Sequence, residues 1–186
     1  GLTVEDVVLE QLASAFAVVP VGRVLTSPLA RCRDTASAIA AASGVAAEPD
    51  DRLLEMDFGD WEGRTRDDVR AAGPEALAAW EADPEHVAPP GGEPLGEVRR
   101  RVLELVDGLS TPGPGGPVVL VSHVGPLKSL LCEALGIGLA ASRRMFLDPG
   151  TISVVDWGPA PLLRLFNSHA HLGWRHARWM RPDPAG

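Results

Sequence analysis

The chain has 186 residues, 25 acidic against 17 basic side chains, and a formal net charge of −8. A length of this order suits one domain with its own core, and 45% hydrophobic with 23% charged residues excludes the disordered, collagen-like and disulfide-scaffold classes. The acidic balance argues against a non-specific nucleic-acid binder. No apolar run approaches the roughly 18 residues of a membrane-spanning helix. No basic segment followed by an apolar run opens the chain, so no signal peptide is read there. The expectation is a cytoplasmic protein with no membrane partner. Cys32 and Cys132 have no metal-type spacing and read as small buried hydrophobes in a reducing compartment.

Thr3 to Asp6 has the form of a capping box, and Val7, Val8, Leu12 and Phe16 follow at helical spacing, predicting a helix of about 14 residues. Arg23–Thr26 reads as a buried strand. A helix follows over Leu29–Ser43, with Gly44 just past its end. A short strand is placed at Val45–Glu48, and Asp57–Gly63 reads as loop. Thr65 caps a helix to Ala72. Gly73-Pro74 breaks it and starts another over Glu75–Ala82. Pro84–Pro94, with four prolines and two glycines, is a long irregular segment of the kind that is usually functional. An amphipathic helix is predicted over Gly96–Leu109, with Val98, Val102, Leu105 and Val106 on one face. A Gly/Pro linker over Thr111–Pro117 follows.

Val118–Val121 is apolar at every position, as expected of a central parallel strand covered on both faces. Ser122-His123-Val124-Gly125 then leads into a helix over Pro126–Leu135, ended by Gly136. Arg144–Leu147, Ile152–Asp156 and Leu162–Phe166 read as strands, the last two as an antiparallel pair. Strands alternating with helices indicate an α/β layer fold.

Three stretches carry chemistry: the turn Thr26–Arg31, the acidic run Leu54–Gly63, and Val121–Pro126. Arg31 and His123 each follow a predicted strand, where open α/β sheets bind ligands. An arginine fork and a helix N-terminus together suit an oxyanion, and a nearby carboxylic acid can protonate a leaving oxygen. Taken singly, each has a plainer reading. Arg31 reads as a surface helix residue, His123 as a core histidine, and Glu55, Asp57, Asp60 and Glu62 as a solvated loop. Lys128, the single lysine, reads as exposed.

The stretches 26–36, 53–63, Pro89-Pro90-Gly91-Gly92-Glu93 and Val119–His123 occur together and in this order. On these motifs the chain resembles the histidine phosphatase, or phosphoglycerate mutase-like, superfamily. Its Ser-His-Val-x-Pro-x-Lys variant is most similar to the acid phosphatase domains of bifunctional ribonuclease H/acid phosphatases, and also to α-ribazole phosphatases. The resemblance implies a three-layer α/β sandwich with a mostly parallel sheet and helices on both faces. It implies a domain over residues 1–172, with 64–93 as a cap over the substrate and 173–186 as a tail.

The implied activity is hydrolysis of a small phosphorylated metabolite through a phosphohistidine, without metal or other cofactor. Arg31 would bind phosphate, together with His123 and the Val124 N–H. His123 would also stabilise the transition state, and Glu55 would be the general acid. The segment 64–93, with Trp80, Pro89 and Pro90, would shape substrate choice. The superfamily's nucleophile lies in an Arg-His-Gly motif that this sequence does not contain. Gly1-Leu2-Thr3 matches the segment just after that motif, so the expectation is that the first strand and the nucleophile precede the sequence given. The alternative is an inactive phosphate-binding or interaction module. A fused or associated domain and a homodimer are further expectations on partners. His86, His169, His171 and His176 do not replace the nucleophile. His169-x-His171 reads as polar tail rather than a metal pair, and Trp174–Arg181 as a packed tail rather than an RNA-binding one.

Overall fold

The computed structural model describes residues 4–109 and 115–173. The chain divides into two compact units. One contains residues 1–50, 113–121 and 146–186; the other contains 51–112 and 122–145.

The first unit carries the strands. A helix α1 (Val4–Phe16) leads to β1 (Arg23–Thr26), α2 (Ala30–Ser43), β2 (Ala47–Pro49), β3 (Val118–Val121) and a pair β4 (Ile152–Asp156) and β5 (Leu162–Ser168). β2, β1 and β3 form a parallel sheet in that order, with Val24 opposite Ala47 on one side and Val119 on the other. The parallel α/β arrangement expected from the sequence is therefore present. Parallel neighbours need a crossover, and α2 supplies the one from β1 to β2. The buried cluster Leu12, Val21, Val24, Ala36, Ile39 and Ala40 packs α1 and α2 on the sheet. β4 and β5 form a separate antiparallel pair, as their spacing predicted.

Several boundaries differ from the sequence reading, each for a local reason. β2 begins at Ala47 because Gly44, at φ 70°, and Val45 both donate their N–H groups to Ala40 O. That closure of the α2 C-terminus removes Val45 from the strand. β3 is not covered as a central strand: Val118 is exposed and Val119–Val121 are half-buried. Among the described strands only β1 pairs with it. Arg144–Leu147 is not a strand. Residues Leu139–Arg144 form a 3-10 helix that buries Leu139 and Ser142, three apart, as its period of three dictates.

The second unit is helical among its described residues: α3 (Arg66–Ala72), α4 (Pro74–Ala82), α5 (Leu95–Leu109) and α6 (Val124–Leu135). Thr65 and Asp68 close a complete capping box on α3, and Pro74 opens α4, as read from the sequence. α6 starts at Val124, two residues before Pro126, because His123 is its extended N-cap residue. Met56, Leu95, Val98, Cys132 and Leu139 form this unit's core, with Phe58, Trp80 and Met145 against it. Neither cysteine is in a disulfide among the described residues, and both are buried, as expected. The capping-box residue Thr3, most of the Thr111–Pro117 linker, His176 and the Trp174–Arg181 tail lie outside the described residues. No described helix is long and apolar enough to cross a membrane.

Ile39 is 2% exposed in the core of the first unit. Ile39→Ala is expected to lower stability by about 2–4 kcal/mol, read by urea unfolding.

Candidate active site

The acidic run is a hydrogen-bonded loop in which Asp57, Asp60 and Glu62 are exposed and Glu55 is half-buried. Residues Asp51–Leu53 form a 3-10 turn whose Leu53 is fully buried. The Ser122 hydroxyl donates to Leu53 O at 2.7 Å, tying this turn to the residue before His123. Arg101, on the buried side of α5, donates to Arg52 O at 2.7 Å and to Glu55 O at 3.2 Å. It also pairs with Glu93 at 3.0 Å. Glu93 in turn accepts from Asp57 N at 3.1 Å and donates its own N–H to Asp57 O at 3.0 Å.

Three carboxylates fold back on loop amides. Asp57 accepts from Gly59 N at 2.8 Å, Glu62 from Phe58 N at 3.1 Å, and Glu55 from Met56 N at 2.9 Å. These bonds fix the loop's shape. They account for Asp57 and Glu62 as structural groups.

Glu55 makes one further bond, and it defines the site. Its Oε1 also accepts the N–H of Gly125 at 3.0 Å, in the first turn of α6. The first amides of a helix have no partner within it, and the helix end favours negative charge. Gly125 is required here: a Cβ at this position would stand 2.6 Å from Glu55 Oε1. His123, 7% exposed, is the N-cap residue two positions earlier, and Val124 between them is exposed. The fold therefore brings Glu55, His123 and Val124 to one helix end. No chemistry-bearing motif in the sequence announced Gly125 or Arg101 as parts of this arrangement. The Gly after His-Val was a hint for the first; the second is a contact across 46 residues that no local pattern shows.

Arg31 belongs to the other unit. It is exposed in the first turn of α2, behind the buried Thr26 and Ser27 at the end of β1. Its placement just after a parallel strand is as read from the sequence.

One other expectation changes. Lys128 is half-buried rather than exposed. Burial pulls its pKa below the ordinary lysine value, against the opposing charges of Cys132 and Glu55. Burial likewise pushes the Cys132 thiol up. Of the residues expected to shape substrate choice, Trp80 is half-buried and Pro89 buried. Trp80 stacks edge-on against Phe58 and Trp61, with ring centres 6.2 and 5.7 Å away, and Pro89 is fully buried. His169 is buried against Asp148 at 2.8 Å, and His171 reaches Gly150 O at 2.8 Å. No metal-type cluster is found among the described residues.

The sequence profile of the Histidine phosphatase superfamily (branch 1) matches residues 8–167, and the chain belongs to this superfamily. Over 154 residues the chain is 37% identical to bifunctional protein Rv2228c of Mycobacterium tuberculosis, covering 82% of this chain but 42% of that protein. The chain thus spans less than half the length of that relative. It is 35% identical over 158 residues to the glucosyl-3-phosphoglycerate phosphatase of Mycolicibacterium vanbaalenii, covering 72% of this chain and 70% of that protein. Its fold superimposes on the alpha-ribazole phosphatase of Shigella flexneri with a TM-score of 0.77 and 28% identity, over 91% of this chain and 85% of that one.

Removing Arg101 would take the charged donor from Glu93, which keeps the Asp57 N–H, and the side-chain donor from the carbonyls of Arg52 and Glu55. Arg101→Met is expected to lower stability by about 2–3 kcal/mol, the scale of bonds to charged groups. Limited proteolysis should then cut first within residues 51–62.

Proposed function

We propose that this chain is the phosphatase domain of a phosphomonoesterase acting on a small phosphorylated metabolite. The observation that carries the proposal is the Glu55 carboxylate fixed on the Gly125 N–H, at the same helix end as His123. Family membership and relatives named as phosphatases support it.

The reaction runs in two steps. A histidine nucleophile attacks phosphorus. The P–N bond forms, the ester P–O bond breaks, and Glu55 delivers a proton to the departing oxygen. Water then attacks the phosphohistidine while the Glu55 carboxylate takes its proton, and phosphate leaves with the P–N bond broken. His123 and the Val124 N–H stabilise charge on the transferring phosphoryl group, where a helix N-terminus already favours anions. Arg31 is assigned to the phosphate oxygens by its motif. The nucleophile would be the histidine of the superfamily's Arg-His-Gly motif, which does not occur in this sequence. No metal takes part.

The experiment is hydrolysis of p-nitrophenyl phosphate by the protein carrying that motif. Glu55→Gln and His123→Ala should each slow it by about 10²-fold or more, the scale of a lost general acid or transition-state donor. EDTA should leave the rate unchanged. A near-normal rate in either variant contradicts that residue's role. Phosphate binding with no hydrolysis of any ester favours the binding-module reading instead.

A further inference from the structure

Lys128 is the single lysine of the chain, and neither the loop bonds nor the proposed chemistry uses it. It stands three residues after Gly125 on α6, and residues three apart on a helix share a face, with about 5–6 Å between their Cβ atoms. Side chains on a helix lean towards its N-terminus, over the preceding turn. For Lys128 that preceding turn holds Gly125, whose N–H seats the Glu55 carboxylate at 3.0 Å. The stem is half-buried, and among the described residues the ammonium makes no hydrogen bond or ion pair. The other half-buried cations beside α6 differ: Arg99 is paired with Glu85 at 2.6 Å and Arg101 with Glu93 at 3.0 Å.

A half-buried, unpaired ammonium is unfavourable unless a charge nearby compensates it. Two groups act on Lys128 in this sense, Cys132 and Glu55. Burial keeps the Cys132 thiol in its neutral form, so Glu55 is the anion that remains.

We propose that Lys128 is a positioning residue for Glu55: its ammonium supplies the counter-charge that keeps the carboxylate seated on the Gly125 N–H. The coupling does not depend on the catalytic reading; only its catalytic consequence rests on Glu55 as the proton donor. A cation favours the ionised carboxyl, so Lys128 lowers the pH at which Glu55 gives up its proton. Other groups face the same place. His123 caps α6, Arg101 bonds the Glu55 carbonyl, and Arg99 acts on Cys132. All of them remain when Lys128 is changed.

A single lysine makes the test direct. Reductive ¹³C-methylation labels one ε-amine, whose pKa is read by NMR in the otherwise unchanged chain. In Glu55→Gln the neighbouring anion is gone, so the Lys128 pKa should fall by about half a unit or more. An equal pKa in both proteins overturns the proposal. Should Glu55→Gln not fold, the reciprocal pair decides, because coupling between two sites is mutual. The Glu55 carboxyl, followed by ¹³C NMR, should titrate higher in Lys128→Met and return in Lys128→Arg. In active protein the alkaline limb of kcat/KM, where Glu55 loses the proton it donates in the first step, should move to higher pH with Lys128→Met and back with Lys128→Arg. A uniform loss of rate with the limb unmoved marks a merely structural lysine and contradicts the proposal. If Glu55→Gln hydrolyses normally, the catalytic role of Glu55 fails while the titrations still decide the coupling.

Discussion

One hydrogen bond organises the helical unit: the Gly125 N–H donating to Glu55 Oε1 at 3.0 Å. It satisfies an amide that α6 cannot satisfy internally, and it places a negative charge where the helix end favours one. It also fixes the side-chain choice at two positions. Residue 125 must lack a Cβ, which would stand 2.6 Å from the carboxylate oxygen. Residue 55 must be an acceptor long enough to reach both that amide and Met56 N. Around this bond the supports converge. Ser122 holds the turn at Leu53, and Arg101 holds the carbonyls of Arg52 and Glu55. Glu93 doubly bridges to Asp57.

The supports differ in energetic weight. Ion pairs on the exposed helix faces, such as Arg100 with Glu97 and Glu104, are surface pairs of small net value. Arg101 is another case, because its guanidinium is mostly buried and satisfies two backbone carbonyls besides its carboxylate partner. The aromatic group of Phe58, Trp61 and Trp80 anchors the loop's outer half to the core. Its one polar defect is the buried Trp80 indole N–H, which has no partner among the described residues. The close approach of the Gly59 and Gly92 backbones explains the glycine at position 92 of the Pro-rich segment. A Cβ at Gly92 would lie 2.3 Å from Asp57 O.

Much of this was legible in the sequence because it is local. β1, the Gly44 stop of α2, the Thr65 capping box and the Pro74 helix start all depend on residues within one turn of one another. Glu55 and His123 were legible as candidates through their motifs. What the sequence could not show is partnership across the chain. Nothing local to α5 marks Arg101 as the fastener of a loop 46 residues earlier. Nor does the helical pattern of α6 say that Lys128 is half-buried, since that depends on what packs beside it. The strand at Val118–Val121 was legible too, and among the described residues only β1 pairs with it. An apolar run reports which residues can be covered, while the number of neighbouring strands decides whether they are. At Arg144–Leu147 the strand expectation fails, because Arg144 ends a 3-10 helix and the next three residues are in no regular element.

The central claim is that Glu55 donates the proton to the leaving oxygen. The measurement that tests it most directly compares kcat/KM of the native protein and Glu55→Gln on an aryl phosphate and an alkyl phosphate. An alkoxide needs the proton to leave, while a nitrophenolate departs largely without it. The loss caused by Glu55→Gln should therefore be much larger for the alkyl ester, by about 10-fold or more. An equal loss on both esters would contradict proton donation by Glu55 and leave it as a structural anchor of α6.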